Sequence, residues 1–202
     1  MSKAKSKAQS LLIIFYRNPE LGKVKTRLAA TIGDAKAYSI YLLLSEHTRY
    51  VVEKLPFHKI LYYSDFVDPD DNWSTAVHEK LTQSGDDLGE KMETAFRTGF
   101  SSGYKSICVI GTDCLDLNAR IIKEAFRKLL THDVVIGPAV DGGYYLLGMN
   151  YLHPAVFKNK NWGSNSVLTE TLNDLKMSGL SFWQLETLND IDRAEDLPLN
   201  FR

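Results

Sequence analysis

The chain predicts an α/β domain with a mostly parallel sheet covered by helices on both faces. Three observations carry that expectation. Short runs of continuous apolar, β-forming residues recur along the chain, and amphipathic helical stretches separate them. The 202 residues suit one domain with a full hydrophobic core, expected over residues 11–202 after a disordered tail at 1–10.

The first strand is Leu11 to Tyr16, apolar throughout and so expected to be buried on both faces. A polar loop, Arg17 to Thr26, carries Pro19 and Gly22. A helix over roughly Asp34 to Lys54 follows, with Ala37, Tyr41, Leu44 and Val51 at helical spacing and Pro56 beyond its end. Lys59 to Tyr63 reads as a second strand, Asp65 to Ser74 as an acidic exposed loop, and Glu79 to Gln83 as a short strand. Asp87 and Glu90 form a capping box before a helix whose stripe is Leu88, Met92, Ala95, Phe96 and Gly99.

Ser106 to Ile110 is the next buried strand. Asn118 caps a helix carrying Ile122, Ala125, Phe126 and Leu129. Strands over Val134 to Pro138 and Gly143 to Met149 follow, then a helix over Asn165 to Met177. A strand over Leu180 to Leu185 and a short helix over Arg193 to Leu197 complete the order.

Composition removes several classes of function. A net charge of -1 argues against broad nucleic-acid binding, which needs a basic face. No apolar run approaches the ~18 residues of a membrane helix, and Leu11 to Tyr16 is too short for the core of a secretory signal. Cys108 and Cys114 read as a core and a loop cysteine in a reducing, cytoplasmic compartment. His47, His58, His78, His132 and His153 show no paired metal-ligand spacing.

In parallel α/β sheets ligands bind outside the carboxyl ends of the strands, so the loops there carry the chemistry. The first loop holds Lys23, Lys25 and Arg27 at alternating positions, which project to one side if the segment is extended. With Gly22 for close backbone approach, and Thr26 beside a helix start, the loop suits a phosphate chain. A solvated basic turn is the alternative.

The second loop, Gly111-Thr112-Asp113-Cys114-Leu115-Asp116, puts Asp113 directly after a central strand, where one carboxylate and substrate phosphates can hold Mg²⁺. Asp116 reads as a turn or helix-start residue. The third, Asp141-Gly142-Gly143-Tyr144, makes either a tight turn or an acceptor site in which Asp141 binds hydroxyls. The fourth holds Asp190 and Asp192, which point the same way if extended. Asp192 either caps the last helix, with Glu195 completing a capping box, or joins Asp113 on a metal. Trp162 is either an acceptor wall or a packing anchor.

Pro-x-x-Gly-Lys-Val-Lys-Thr-Arg-Leu, Gly-Asp-Asp-Leu-Gly-Glu-Lys-Met, Ile-Gly-Thr-Asp-Cys, Gly-Pro-Ala-x-Asp-Gly-Gly-Tyr-Tyr-Leu-Leu-Gly, Trp-Gly-Ser and Asp-Ile-Asp-x-x-Glu-Asp-Leu occur in this order. Together they resemble a bacterial family of glycosyltransferase-A-like proteins, the selenodomain-associated transferases. That family is similar to the nucleotidyltransferases that make molybdenum-cofactor dinucleotides and to 2-phospho-lactate guanylyltransferase.

The resemblance implies a three-layer nucleotide-diphospho-sugar transferase fold. It also implies Mg²⁺ or Mn²⁺ at Asp113 with Asp192 or Asp190 assisting, and Lys25 and Arg27 in the phosphate-handling loop. Thr112 joins the expected phosphate contacts, and Asp141, Gly142, Gly143, Tyr144 and Trp162 the expected acceptor contacts. Two departures stand out: Leu115 replaces the family's usual proline, and Asn18 to Gly22 replaces the Gly-rich loop of the related nucleotidyltransferases.

The expected partners are a nucleotide or nucleotide-sugar and a small acceptor, not nucleic acid or membrane. Nucleotidyl transfer leads, with glycosyl transfer and a non-catalytic nucleotide sensor as alternatives. The residues do not select the base, the acceptor or the oligomeric state.

Overall fold

The computed structural model describes residues 9–199. Most of the expected tail, at residues 1–8, lies outside the described residues. Ser10, also assigned to it, already opens the first strand.

The strands are β1 (Ser10–Tyr16), β2 (His58–Tyr63), β3 (Glu79–Thr82), β4 (Ser106–Ile110), β5 (Val134–Pro138), β6 (Tyr144–Met149) and β7 (Phe182–Gln184). The α-helices are α1 (Thr26–Ile32), α2 (Asp34–Glu53), α3 (Leu88–Ser101), α4 (Ala119–Lys128) and α5 (Val167–Met177). Short 3₁₀ turns lie at Asn72–Thr75, Pro154–Phe157 and Ala194–Asp196. The seven strands form one sheet in the order β3-β2-β1-β4-β6-β5-β7. β6 runs antiparallel to both neighbours, and the other pairings are parallel.

The three expected layers follow from the alternation of side chains along a strand. Leu12 and Ile14 of β1 pack with Tyr41 of α2 and with Ile121, Ile122 and Ala125 of α4. Leu11 and Ile13 pack on the other face with Met92 and Phe96 of α3 and Leu175 of α5. All four β1 side chains are fully buried, each contributing about 1.5–3 kcal/mol over exposure. Among the described residues no helix is long and apolar enough to cross a membrane.

Two local expectations are corrected. The first loop does not run extended up to the long helix: Thr26–Ile32 forms its own helix, and Gly33 at φ +83° breaks it from α2. The segment Arg193 to Leu197 makes only a 3₁₀ turn, and its box carboxylate is Asp196, not Glu195. Asp196 Oδ2 accepts from the amides of Asp192 at 3.1 Å and Arg193 at 2.7 Å.

Candidate active site

A pocket of about 610 Å³ opens at the carboxyl edge of the sheet. It is bounded by the last residues of β1 and β4, the first residues of β6, the start of α1 and the first turns of α3. Because β6 is antiparallel, with Ile110 opposite Leu146, its first residues share an edge with the end of β4.

The floor is built around Lys25. Its backbone adopts φ +50°, ψ +44°, a left-handed conformation that costs a non-glycine residue about 1–2 kcal/mol. That turn carries the chain into α1 and draws the side chain inward until it is 5% exposed. Nζ reaches Asp113 Oδ1 at 2.7 Å, while the Asp113 carboxylate stays 47% exposed toward the pocket. Thr112, beside it, is buried and lines the same wall.

Asp190 is brought to Asp113 by backbone pairing. Cys114 and Asp190 form an antiparallel bridge, and the Ile191 amide donates to the Asp113 carbonyl at 2.9 Å. Burial pushes the Asp190 carboxyl up to about 7, with the Asp113 and Asp141 charges adding to the rise and Lys25 opposing it. Its Oδ1 is buried without a hydrogen-bond partner. Asp192 is engaged differently: Arg27 Nη1 lies 2.8 Å from its Oδ2, and both side chains are well exposed.

These residues fit a divalent cation. Asp113 and Asp190 offer hard oxygens from adjoining backbones, and the orphaned Asp190 oxygen lacks the partner a buried polar atom needs. Among the described residues, no cluster of three or more His, Cys, Asp or Glu side chains could hold a metal. Two carboxylates completed by phosphate oxygens and water is the usual arrangement for Mg²⁺.

The other expected site residues divide. Lys25, Thr26, Arg27, Thr112, Asp113, Tyr144, Asp190 and Asp192 all line the pocket. Lys23 does not: the chain turns at Gly22, φ +77°, and Lys23 projects to solvent beside Glu20 at 2.7 Å. The three cations therefore do not share one side, because the segment turns into a helix where extension was assumed.

Gly22 shapes that turn and lies outside the pocket lining. Asp141, Gly142, Gly143 and Trp162 stand outside it too. The Asp141 carboxylate folds back onto the Gly143 amide at 2.9 Å. At Gly142 a Cβ would lie 2.2 Å from the Asn165 carbonyl, so the absent side chain admits the chain's own backbone there. The Trp162 indole packs against Gly89 of α3, the packing role that stood as its alternative.

Several lining residues are not among the site residues expected from the sequence. Tyr16 ends β1 and Arg17 follows it, Tyr41 comes from α2, and Tyr145 from β6. The Tyr41 hydroxyl donates to the Arg17 carbonyl, fixing the β1 exit. Asn18 is buried and joins the two neighbouring loops, its Oδ1 accepting from the Asp65 amide at 3.0 Å and its Nδ2 donating to the Phe66 carbonyl at 2.9 Å. Lys91 lines the pocket from α3 and makes no ion pair among the described residues. Its place inside Gly-Asp-Asp-Leu-Gly-Glu-Lys-Met was the one available hint.

Comparison with known proteins shows the family and the fold. The family described as "Uncharacterized protein conserved in bacteria (DUF2064)" matches residues 49–164. No curated protein matches the chain. A candidate nucleotide-diphospho-sugar transferase from Desulfovibrio desulfuricans G20 superposes with a TM-score of 0.84 at 32% identity, over 92% of this chain and 83% of its own.

Two more distant structures share the fold alone. A 4-diphosphocytidyl-2C-methyl-D-erythritol synthase from Anaerococcus prevotii DSM 20548 gives a TM-score of 0.57 at 10% identity, over 94% of each chain. A cytidylyltransferase from Leptospira borgpetersenii gives 0.55 at 10% identity, over 89% of this chain and 76% of its own. The chain therefore belongs to the DUF2064 family and has the fold of the nucleotide-diphospho-sugar transferases.

Proposed function

We propose that the protein is a metal-dependent nucleotidyltransferase, moving a nucleoside monophosphate from a nucleoside triphosphate to a small phosphorylated or carboxylated acceptor. The transferase class is supported by the fold and by the relative at 32% identity. The observation that carries the reading is the Lys25–Asp113 pair at 2.7 Å on the pocket floor, with Asp190 beside it. A cation paired with one carboxylate, with a second carboxylate on the adjoining backbone, provides both halves of what a phosphate chain needs: direct donors and a seat for a divalent ion.

An acceptor oxygen attacks the α-phosphorus in line, the bond to the bridging oxygen breaks, and pyrophosphate leaves. Lys25 has three N–H donors, so it can keep Asp113 and still donate to a phosphate oxygen. Its near-burial strengthens that interaction, because little water screens it. Arg27, at the mouth, offers a planar fork to the leaving group while Asp192 holds its orientation. Mg²⁺ or Mn²⁺ on Asp113 and Asp190, when bound, supplies neutralisation of phosphate charge.

A second reading, glycosyl transfer from a nucleotide-sugar, is favoured by one observation: the relative at 32% identity carries the designation nucleotide-diphospho-sugar transferase. Calorimetric titration with nucleoside triphosphates and nucleotide-sugars, with and without Mg²⁺, tests the site. Binding that needs Mg²⁺ and is lost in Asp113→Ala supports it; binding indifferent to both removes it. Pyrophosphate as the released product selects nucleotidyl transfer, and nucleoside diphosphate selects the second reading.

A further inference from the structure

Gln83 lies just past β3 and lines the pocket away from Lys25 and Asp113 in the sheet order, beyond β2 and β1. Its backbone amide donates to the Tyr63 carbonyl at 2.8 Å, continuing the β2–β3 pairing by one residue. Its side-chain Nε2 donates to the Tyr62 carbonyl at 2.9 Å and reaches the Tyr16 carbonyl at 3.5 Å. Both neighbours are backbone carbonyls, which only accept. A glutamine amide has one donor end and one acceptor end, so these carbonyls fix its orientation.

The NH₂ group is committed to the ends of β1 and β2. Oε1 is left without a partner among the described residues, on a side chain that borders the pocket. The side chain cannot rotate to present its donor without breaking those bonds. Phe15, Leu88 and Met92 line the same pocket and give it an apolar wall, suited to the flat face of a heterocycle.

We propose that Gln83 is the base-selecting residue, accepting a hydrogen bond from the exocyclic amine of an amino-bearing nucleobase. The inference rests on the nucleotidyltransferase reading above. The phosphates lie at the β1 and β4 ends over Lys25, the base lies at the β2 and β3 ends against Gln83, and Tyr144 and Tyr145 are left to the acceptor side. A base with a carbonyl at that point would set two acceptors face to face. Sites built to receive a donor reject analogues lacking it far more strongly than apolar pockets reject a missing methylene.

The test is direct binding of CTP, UTP, ATP, GTP and ITP with Mg²⁺, grouped in matched pairs that differ at an amine: CTP with UTP, and ATP and GTP each with ITP. At least one amino-bearing member should bind about 10-fold or more tightly than its partner, equivalent to about 1.4 kcal/mol. Gln83→Met, which keeps the length but removes both polar ends, should bring that ratio to within about 3-fold. Gln83→Glu, checked for folding by circular dichroism, should lower the affinity for the preferred base, because a second acceptor then faces the Tyr62 carbonyl.

Matched pairs that bind equally to the native protein overturn the base assignment and leave the nucleotidyltransferase reading standing. So does a ratio that Gln83→Met does not change. Failure of every triphosphate to bind overturns both.

Discussion

The Lys25 ammonium stands 2.7 Å from the Asp113 carboxylate, and the two residues reach that position by opposite means. Asp113 is delivered by a regular strand, directly after β4. Lys25 is delivered by a left-handed turn that its residue type disfavours. Strain of this kind persists only where the surroundings over-determine it, and it concentrates at functional sites.

Replacing Lys25 separates the backbone from the charge. Lys25→Gly relaxes the left-handed turn, and Lys25→Ala keeps its strain, but both remove the ammonium. Each should lower nucleotide affinity about 10-fold or more, with Lys25→Gly the more stable of the two by about 1 kcal/mol. Thermal melting compared with calorimetric titration checks both halves. A Lys25→Gly protein with native nucleotide affinity would show that the charge is not used.

The Asp190 carboxyl titrates near 7 in the folded protein against an ordinary value of 3.8. The fold therefore favours its protonated form. The Asp190 contribution to the stability of the metal-free protein should be full below about pH 4 and decline between about pH 4 and 7, by up to roughly 4 kcal/mol, then level off. Asp190→Asn should remove this slope in denaturant midpoints measured across that range. Mg²⁺ with nucleotide requires the ionised form, so its stabilising effect should grow as pH rises toward 7.

Asp192→Asn and Asp190→Asn should behave differently. Asp192 is tied to Arg27 at the pocket mouth, and losing that exposed pair costs about 0–1 kcal/mol of stability. The requirement for Mg²⁺ should persist in Asp192→Asn and weaken at least about 10-fold in Asp190→Asn. Titrating Mg²⁺ into each nucleotide-bound variant decides it. Equal metal responses would remove the distinction between the two carboxylates.

Gly142→Ala should destabilise the protein by about 2 kcal/mol or more. The glycine sits at φ +89°, and the added methyl would meet the Asn165 backbone. The Leu168 amide donates to the Gly142 carbonyl at 2.9 Å, so the damage should extend to the start of α5. Hydrogen exchange of α5 amides is the readout. Protection equal to native would show that this turn yields freely.

Much of the layering was legible because β1 and β4 are apolar on both faces, a pattern that only a covered sheet explains. Asp113 was legible for the same reason: a carboxylate after a buried strand has one edge at which to emerge. The path of Lys25 was not. A helix of seven residues starting on a left-handed lysine leaves no periodicity longer than the basic loop it interrupts.

Sequence alone does not choose between Asp190 and Asp192 as the partner of Asp113, because both lie on one side of an extended segment. The bridge to Cys114 and the pull of Arg27, which separate them, are long-range contacts. Gln83 read as the end of a short strand, since nothing local reveals that its amide crosses two strand ends.

Lys25, Gln83, Asp113, Tyr144 and Asp190 come from separated stretches of chain and meet on one edge of one sheet. A ribosome that has made residues up to 150 has already supplied the lysine, the glutamine and the first carboxylate. The second carboxylate emerges only some forty residues later, in a segment held by a bridge to Cys114 and by the Asp113 carbonyl. The pairing of Asp190 with the Asp113 loop thus waits until that segment has emerged, and chains interrupted before Asp190 cannot make it, however well their earlier strands have paired.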